Sequence, residues 1–212
     1  MKQSAVIVFI LISVIAGAQT AETVAYSREY DFKEGVFLTI GQFKSNNPVP
    51  RSAIISGVPK DQVDFMTQVM DFKTFTYKDS AGIEQKLETD AVWGYCQNRN
   101  ICINFNNECQ RVNVIGTWSL FSAIITKAPI RGDPMSDMYA MSTSYQELHQ
   151  FVYDMQTGKA TDFTVKNMEL LLESDPELHT QFMKLKKRAK SDSIFIYLRK
   201  YNEKHPLYLS AK

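Results

Sequence analysis

AVWGYCQNRNICINFNNECQRVNVIG, residues 91–116, is the stretch whose reading decides the fold. Three runs rich in β-branched and aromatic residues, AVWGYC, ICINF and RVNVIG, are separated by QNRN and NNECQ, whose asparagines favour turns. Short strands with turns between them predict an antiparallel meander. The same stretch holds all three cysteines of the chain and one of its two tryptophans. It is therefore also the first place to look for chemistry.

Trp93, Tyr95, Ile101, Ile103 and Phe105 are large, apolar and odd-numbered. Side chains alternate faces along a strand, so this set asks for a register that pairs odd with odd. Such a register puts Cys96 and Cys102 on the opposite face with Gly94 and Asn104. If the connection runs from Gln97 to Ile101, the two cysteines are directly opposed and form a cross-strand disulfide. A slip of two residues makes them diagonal and unbridged. Cys109 is expected in the next turn, six or seven residues from Cys102 at about 3.3 Å each. That is beyond the roughly 7 Å Cα separation a disulfide spans, which leaves Cys109 as the free thiol candidate. Zinc is disfavoured, because the intervals of five and six residues do not match close ligand pairs such as CxxC. A nucleophilic cysteine needs a neighbouring base, and no histidine is close in sequence.

Upstream of this stretch, Gly35–Thr39 reads as a short strand. Thr39 and Gln42 have capping-box spacing, which predicts a brief helix over 40–45, stopped by Asn46-Asn47-Pro48. Residues 61–70 are ambiguous between helix and loop. KTFTYK and IEQKLE form a hairpin about Asp79–Gly82. Downstream, TWSLFSAIIT is a buried strand. Residues 127–142 contain Pro129 and Gly132-Asp133-Pro134 and no periodicity, so they are expected to be a long loop. Leu148–Asp154 and Ala160–Thr164 pair as a second hairpin around Gln156–Lys159.

After Thr164 the period becomes helical. Thr164 caps a helix carrying Val165, Met168, Leu171 and Leu172. Asp175-Pro176 starts a second, whose stripe is Leu178, Phe182, Leu185 and Ala189. Lys184–Lys190 then lies at its C-terminal end, where the dipole favours cations. SIFIYLRKYNEKHP is a third helix or, on the alternation of SIFIYL, a strand. The fold class is thus α+β: a mostly antiparallel β-sheet, a meander free to curl, with a short N-terminal helix and two to three C-terminal helices.

At the N-terminus, Lys2 precedes an apolar run, Ala5–Ile15, broken by Ser13, and Ala16-Gly17-Ala18 has the small-x-small cleavage pattern. This predicts a signal peptide over 1–18 and a mature chain from Gln19. The run is shorter than the roughly 20 apolar residues a span needs. There is no cysteine before Cys96 to accept a lipid, and no later segment long and apolar enough to cross a membrane. A polar lead over 19–30, a β-rich domain over 31–164 and a helical region over 165–212 packed on the same domain complete the division. The 24 basic and 23 acidic side chains become equal without Lys2. A neutral chain has no long-range field for phosphate backbones or anionic lipid, so nucleic acid is not an expected partner.

Other motifs resolve to structural readings. KLKKRAK, Lys184–Lys190, is a solvated helix face. Thr157-Gly158-Lys159 lacks the earlier glycine and following helix of a phosphate loop and is a hairpin turn. His149, His179 and His205 have no ligand spacing, and HExxH and GxSxG are absent. Asp133 and Asp137 sit in the long loop with nothing to make them converge. No catalytic residue, metal site or cofactor is assigned.

The order EGVFLTIGQFKSNNP, YKDSAG, VWGYCQNRNICINF, RVNVIG, VYDMQTGKATDFT, LLESDPELHTQF and LRKYNEKHPLY resembles a family of uncharacterised proteins exported by Gram-negative bacteria. The likeness runs from about Asp31 to Leu209. It implies a periplasmic or secreted protein, or one associated with the outer membrane, and implies no activity. The expected function is a non-catalytic domain of the cell envelope that binds an envelope protein, a peptide or a glycan. The alternative is an envelope hydrolase or a thiol-dependent enzyme with a dispersed site, using Cys109 with a histidine brought from elsewhere.

Overall fold

The computed structural model describes residues 22–127 and 145–211. The expected signal peptide, and the expected loop apart from Lys127, lie outside the described residues. The meander of residues 91–116 is the centre of a seven-stranded antiparallel sheet in the order β11-β10-β9-β8-β7-β6-β2. Its strands are β2 (Gly35–Phe37), β6 (Gly94–Gln97), β7 (Asn100–Phe105), β8 (Glu108–Val114), β9 (Trp118–Lys127), β10 (Tyr145–Asp154) and β11 (Ala160–Asp162). A three-stranded sheet is formed by β3 (Ile54–Ile55), β4 (Thr74–Lys78) and β5 (Glu84–Glu88). β1 (Thr23–Ala25) and β12 (Tyr208–Ser210) make a two-stranded ribbon that pairs the two ends of the described chain. The helices are α1 (Ile40–Lys44), α2 (Phe65–Met70), α3 (Val165–Leu172), α4 (Pro176–Met183) and α5 (Lys187–Lys204). The fold is α+β, as expected. Among the described residues no helix is long and apolar enough to cross a membrane.

Because strand side chains alternate, the large sheet buries both faces against different partners. One face carries Phe37, Cys96, Ile101, Ile103, Phe121 and Phe151, and packs on Phe43 of α1 and Leu209 of β12. On the other face, the β6–β7 end presents Tyr95 and Cys102 to Phe65, Met66 and Val69 of α2 and Phe75 of β4. The β9–β10 end presents Trp118, Leu120 and Val152 to α3, α4 and α5 through Met168, Leu172, Phe182 and Leu198. Three apolar clusters thus share one sheet, and the exclusion of their side chains from water drives its folding.

The register of β6 and β7 differs from the expected one. Asn98 and Arg99 both have positive φ, 50° and 62°, as a two-residue type I′ hairpin turn requires. A two-residue turn forces Gln97 to face Asn100, so Cys96 faces Ile101 and Tyr95 faces Cys102. Odd pairs with even. The apolar parity that suggested otherwise is broken at Gly94, since Trp93 packs in one cluster and Tyr95 in the other. Cys96 and Cys102 therefore point to opposite faces of the sheet, and all three cysteines are free thiols. A second turn of the same kind, Asn106-Asn107 with φ of 54° and 65°, folds β8 back along β7. Cys109 is thereby in β8 opposite Asn104, not in a turn, and diagonal to Cys102.

The caps stand where expected. Thr39 accepts from the N–H of Gln42, Thr164 from that of Asn167, and Asp175 from that of Leu178. The segment 61–70 contains the helix α2, and SIFIYL lies inside α5. The second C-terminal helix, however, ends at Met183, and Lys187, Arg188 and Lys190 fall at the start of α5. That is the end where the dipole disfavours cations. Lys190 is compensated by Glu169 of α3 at 2.5 Å and by the ring of Phe182 beneath it. The basic run is thus partly a buried tie between helices, not a wholly solvated face.

Candidate functional site

The free thiol candidate leads to a cleft. A cavity of about 580 Å³ opens between α2, the β5 end and the β7–β8 turn, and Cys109 lines it. It is lined by Thr67 and Met70 of α2, by Asp71, Phe72 and Lys73 just after that helix, and by Glu88, Thr89, Asp90 and Glu108. Each wall is fixed by a specific bond. The amide of Asn104 donates to the carbonyls of Thr89 (3.0 Å) and Asp90 (3.1 Å), holding that turn against β7. Thr89 Oγ1 donates to the carbonyl of Phe72 at 2.6 Å and so ties the turn after β5 to the segment after α2.

α2 has no side-chain N-cap of its own. The cap comes from the sheet: buried Gln97 accepts from the N–H of Met66 at 3.0 Å and donates to the carbonyl of Val63. A free helix start would leave those groups unsatisfied. Gln97 thus positions the helix that forms one wall of the cleft.

Below Cys109 lie Cys102 and Tyr95. The Tyr95 hydroxyl bonds Thr67 Oγ1 at 2.9 Å and also reaches Cys102. Burial pushes the Cys109 thiol up to about 12, with Cys102 and the Asp71 carboxylate adding to the rise. Burial raises Cys96 to about 12 as well, and its Sγ donates to the carbonyl of Phe32 at 3.9 Å. All three are protonated at neutral pH, and a thiol is a poor nucleophile beside its thiolate.

No histidine lines the cleft. His149 lies on β10 at 2.9 Å from Glu147 and 3.7 Å from Asp162. His179 is on α4. His205 Nε2 sits 2.7 Å from Asp175, and that hydrogen bond holds the Asp175 carboxyl well below the usual range. The structure therefore places Cys109 in a concave site without bringing it a histidine. Among the described residues no group of histidine, cysteine and carboxylate side chains could hold a metal ion.

The cleft residues that sequence reading did not single out are Thr67, Asp71, Glu88, Asp90 and Glu108. They come from α2 and the residue after it, from β5 and the turn after it, and from β8, and nothing in local spacing marks them. The cysteines yield a test. Alkylation in denaturant without reductant is expected to add three adducts per chain by intact mass. In the native protein Cys109 is expected to react first, since Cys96 and Cys102 are buried. A single adduct would instead establish a bridge.

Comparison with known proteins finds a match to a family described as a family of unknown function, DUF6563, over residues 35–205. The match runs from the first residue of β2 to the residue after α5, so it takes in the large sheet, the cleft and the helices but leaves out the β1–β12 ribbon. No curated protein matches the chain, and no solved structure does.

Proposed function

We propose for this chain, which belongs to the DUF6563 family of unknown function, the role of a non-catalytic binding domain of the cell envelope whose cleft takes a cationic peptide segment of a partner protein. The observation that carries the reading is the composition of the cleft. Four carboxylates, Asp71, Glu88, Asp90 and Glu108, stand against the single Lys73, with exposed Phe72 also lining the cleft. Such a rim attracts lysine and arginine side chains, and an aromatic face adds a cation–π contact. The same rim favours a basic peptide over an uncharged glycan. The protonated Cys109 supports binding over thiol chemistry. Export through residues 1–18 fits an envelope role and an even charge balance.

Titration of a labelled peptide of alternating lysine and alanine, with a glutamate–alanine peptide as control, tests the cleft. Binding of the basic peptide alone is expected, weakening with salt. Removing two rim charges in Glu88→Gln/Glu108→Gln is expected to reduce affinity about tenfold, on the order of 1.4 kcal/mol. Equal binding by the variant, or none by the native chain, would overturn the reading. Expression of the full chain in a Gram-negative host is expected to yield an envelope-fraction protein beginning at Gln19. A cytoplasmic product retaining residues 1–18 would defeat the envelope assignment.

A further inference from the structure

We propose that a second cavity, formed by α5, the turn between β8 and β9 and the segment after β1, binds a small acidic amino acid through its two carboxylates and its ammonium group. The cavity holds about 610 Å³ and is lined by Arg28, Asn113, Arg199 and Glu203 together with Tyr26 and Leu207. Small-molecule sites commonly have roughly 300–1,000 Å³. It shares no residue with the cleft of Cys109. Its parts are tied together by bonds that do not use the charged side chains. Asn202 of α5 holds the N–H and the carbonyl of Trp118, and Thr117 Oγ1 donates to the carbonyl of His205 at 2.6 Å, so the helix is fixed against the start of β9. Tyr26 N–H donates to the carbonyl of Leu207 at 2.7 Å and brings the segment after β1 against the chain that follows α5. Asn113 reaches the cavity through a bulge. Val112 pairs with Phe121 and Val114 with Leu120, adjacent residues of β9, so Asn113 is one residue too many for the ladder. Bulges of this kind re-aim a side chain next to a site.

The occupant is argued from charge. Arg199 and Glu203 are one helical turn apart on α5, yet neither of them nor Arg28 forms an ion pair among the described residues. Two cations and one anion are balanced by the inverse set, two carboxylates and one ammonium. A guanidinium grips a carboxylate through two parallel N–H donors. The Glu203 carboxylate accepts from the ammonium, and Asn113 adds an uncharged amide. Burial raises the Tyr26 hydroxyl above its ordinary value while the Arg28 charge opposes the rise, which keeps that guanidinium close to the tyrosine. Inorganic phosphate offers the arginines the same oxyanion chemistry, but Glu203 repels it. Arg28, Arg199 and Glu203 are exposed, so the binding weakens with salt.

Isothermal titration calorimetry of the full chain at low ionic strength, with L-glutamate, L-glutamine, glutarate and inorganic phosphate as probes, tests the assignment. L-Glutamate is expected to bind tightest and the other three about tenfold more weakly or less well still, each lacking one charge or the geometry of the set. Arg28→Gln and Arg199→Gln are each expected to weaken L-glutamate about tenfold. Lys166→Gln, which removes an exposed cation of α3 outside the cavity, is expected to leave it unchanged. Glu203→Gln is expected to weaken L-glutamate and not glutarate, which has two carboxylates and no ammonium. All four positions are exposed, so circular dichroism is expected to stay native, and the order of the four probes on the native chain stands without the variants. No binding of L-glutamate, phosphate bound as tightly as L-glutamate, equal loss in Lys166→Gln, or an equal effect of Glu203→Gln on both acids would overturn the proposal.

Discussion

Replacing Gly94 with alanine is expected to destabilise the protein by about 4 kcal/mol or more, enough to leave the chain largely unfolded. Gly94 is a central-strand residue, held by Phe37 of β2 on one side and Ile103 of β7 on the other. A Cβ at this position would overlap the carbonyl oxygen of Cys102 and lie 3.0 Å from the Cα of Ile103. Both are backbone atoms of a paired strand, so nothing nearby can yield as a flexible side chain would. The neighbouring residue raises the cost further. Trp93 takes its N–H to the carbonyl of Leu38 and its carbonyl to the N–H of Asn104, while its indole stacks on Phe43 and donates to the hydroxyl of Tyr153 at 3.0 Å. Moving β6 away from β7 to admit a methyl group pulls on all of these contacts. Denaturant melts followed by circular dichroism measure the effect, with Gly57→Ala as control, because a Cβ there meets nothing within 4 Å. A native-like midpoint for Gly94→Ala would mean that the close approach of β6 and β7 is wrong.

Asn202→Leu is expected to cost roughly 2–4 kcal/mol, because it leaves two backbone groups without partners at about 1–3 kcal/mol each. Asn202 Oδ1 accepts from the N–H of Trp118 at 2.9 Å, and its Nδ2 donates to the carbonyl of the same residue at 2.8 Å. One amide therefore completes the first residue of β9 and attaches α5 to the sheet. The absence of a side chain at Gly116 makes the room, since a Cβ there would collide with the Asn202 amide. Tyr201, one residue earlier, lies flat on the Trp118 ring with an interplanar angle of 3°. Asn202→Asp keeps the acceptor and loses the donor, so it is expected to fall between the native chain and Asn202→Leu. Thermal melts followed by tryptophan fluorescence give the ranking. Equal stability of all three proteins would show that the amide carries no weight.

What could be read from the sequence was local. Thr39, Thr164 and Asp175 were legible as caps because a cap depends on a few adjacent residues. The Thr74–Lys78 and Glu84–Glu88 hairpin was legible because turn residues bound an alternating run. In the central meander apolar parity and turn chemistry ask for different registers, and the two-residue turn prevails. Asn98 readily takes positive φ and Arg99 follows it, so the tight turn forms, and Gly94 absorbs the mismatch. The break between α4 and α5 was hidden because Leu178, Phe182, Leu185 and Ala189 keep helical spacing across it. The cleft was illegible beyond Cys109, since its carboxylates come from elements distant in sequence. β1 escaped notice because its three residues are exposed and carry no hydrophobic pattern.

The ribbon of β1 and β12 bears on the order in which the molecule is completed. Thr23 pairs with Ser210 and Ala25 with Tyr208, while Leu209 is fully buried beneath the ribbon in the core it shares with Phe37 and Phe43. A chain emerging from the ribosome presents the first of these strands long before the second. Until then Thr23–Ala25 has no strand to pair with, and the apolar surface around Phe32 and Phe43 lacks its cover. Closure of contacts this far apart in sequence is also the slowest to gain from local structure. The native state is thus sealed only after residue 210 has been made, and until then the core around Phe37 and Phe43 stays uncovered on that side.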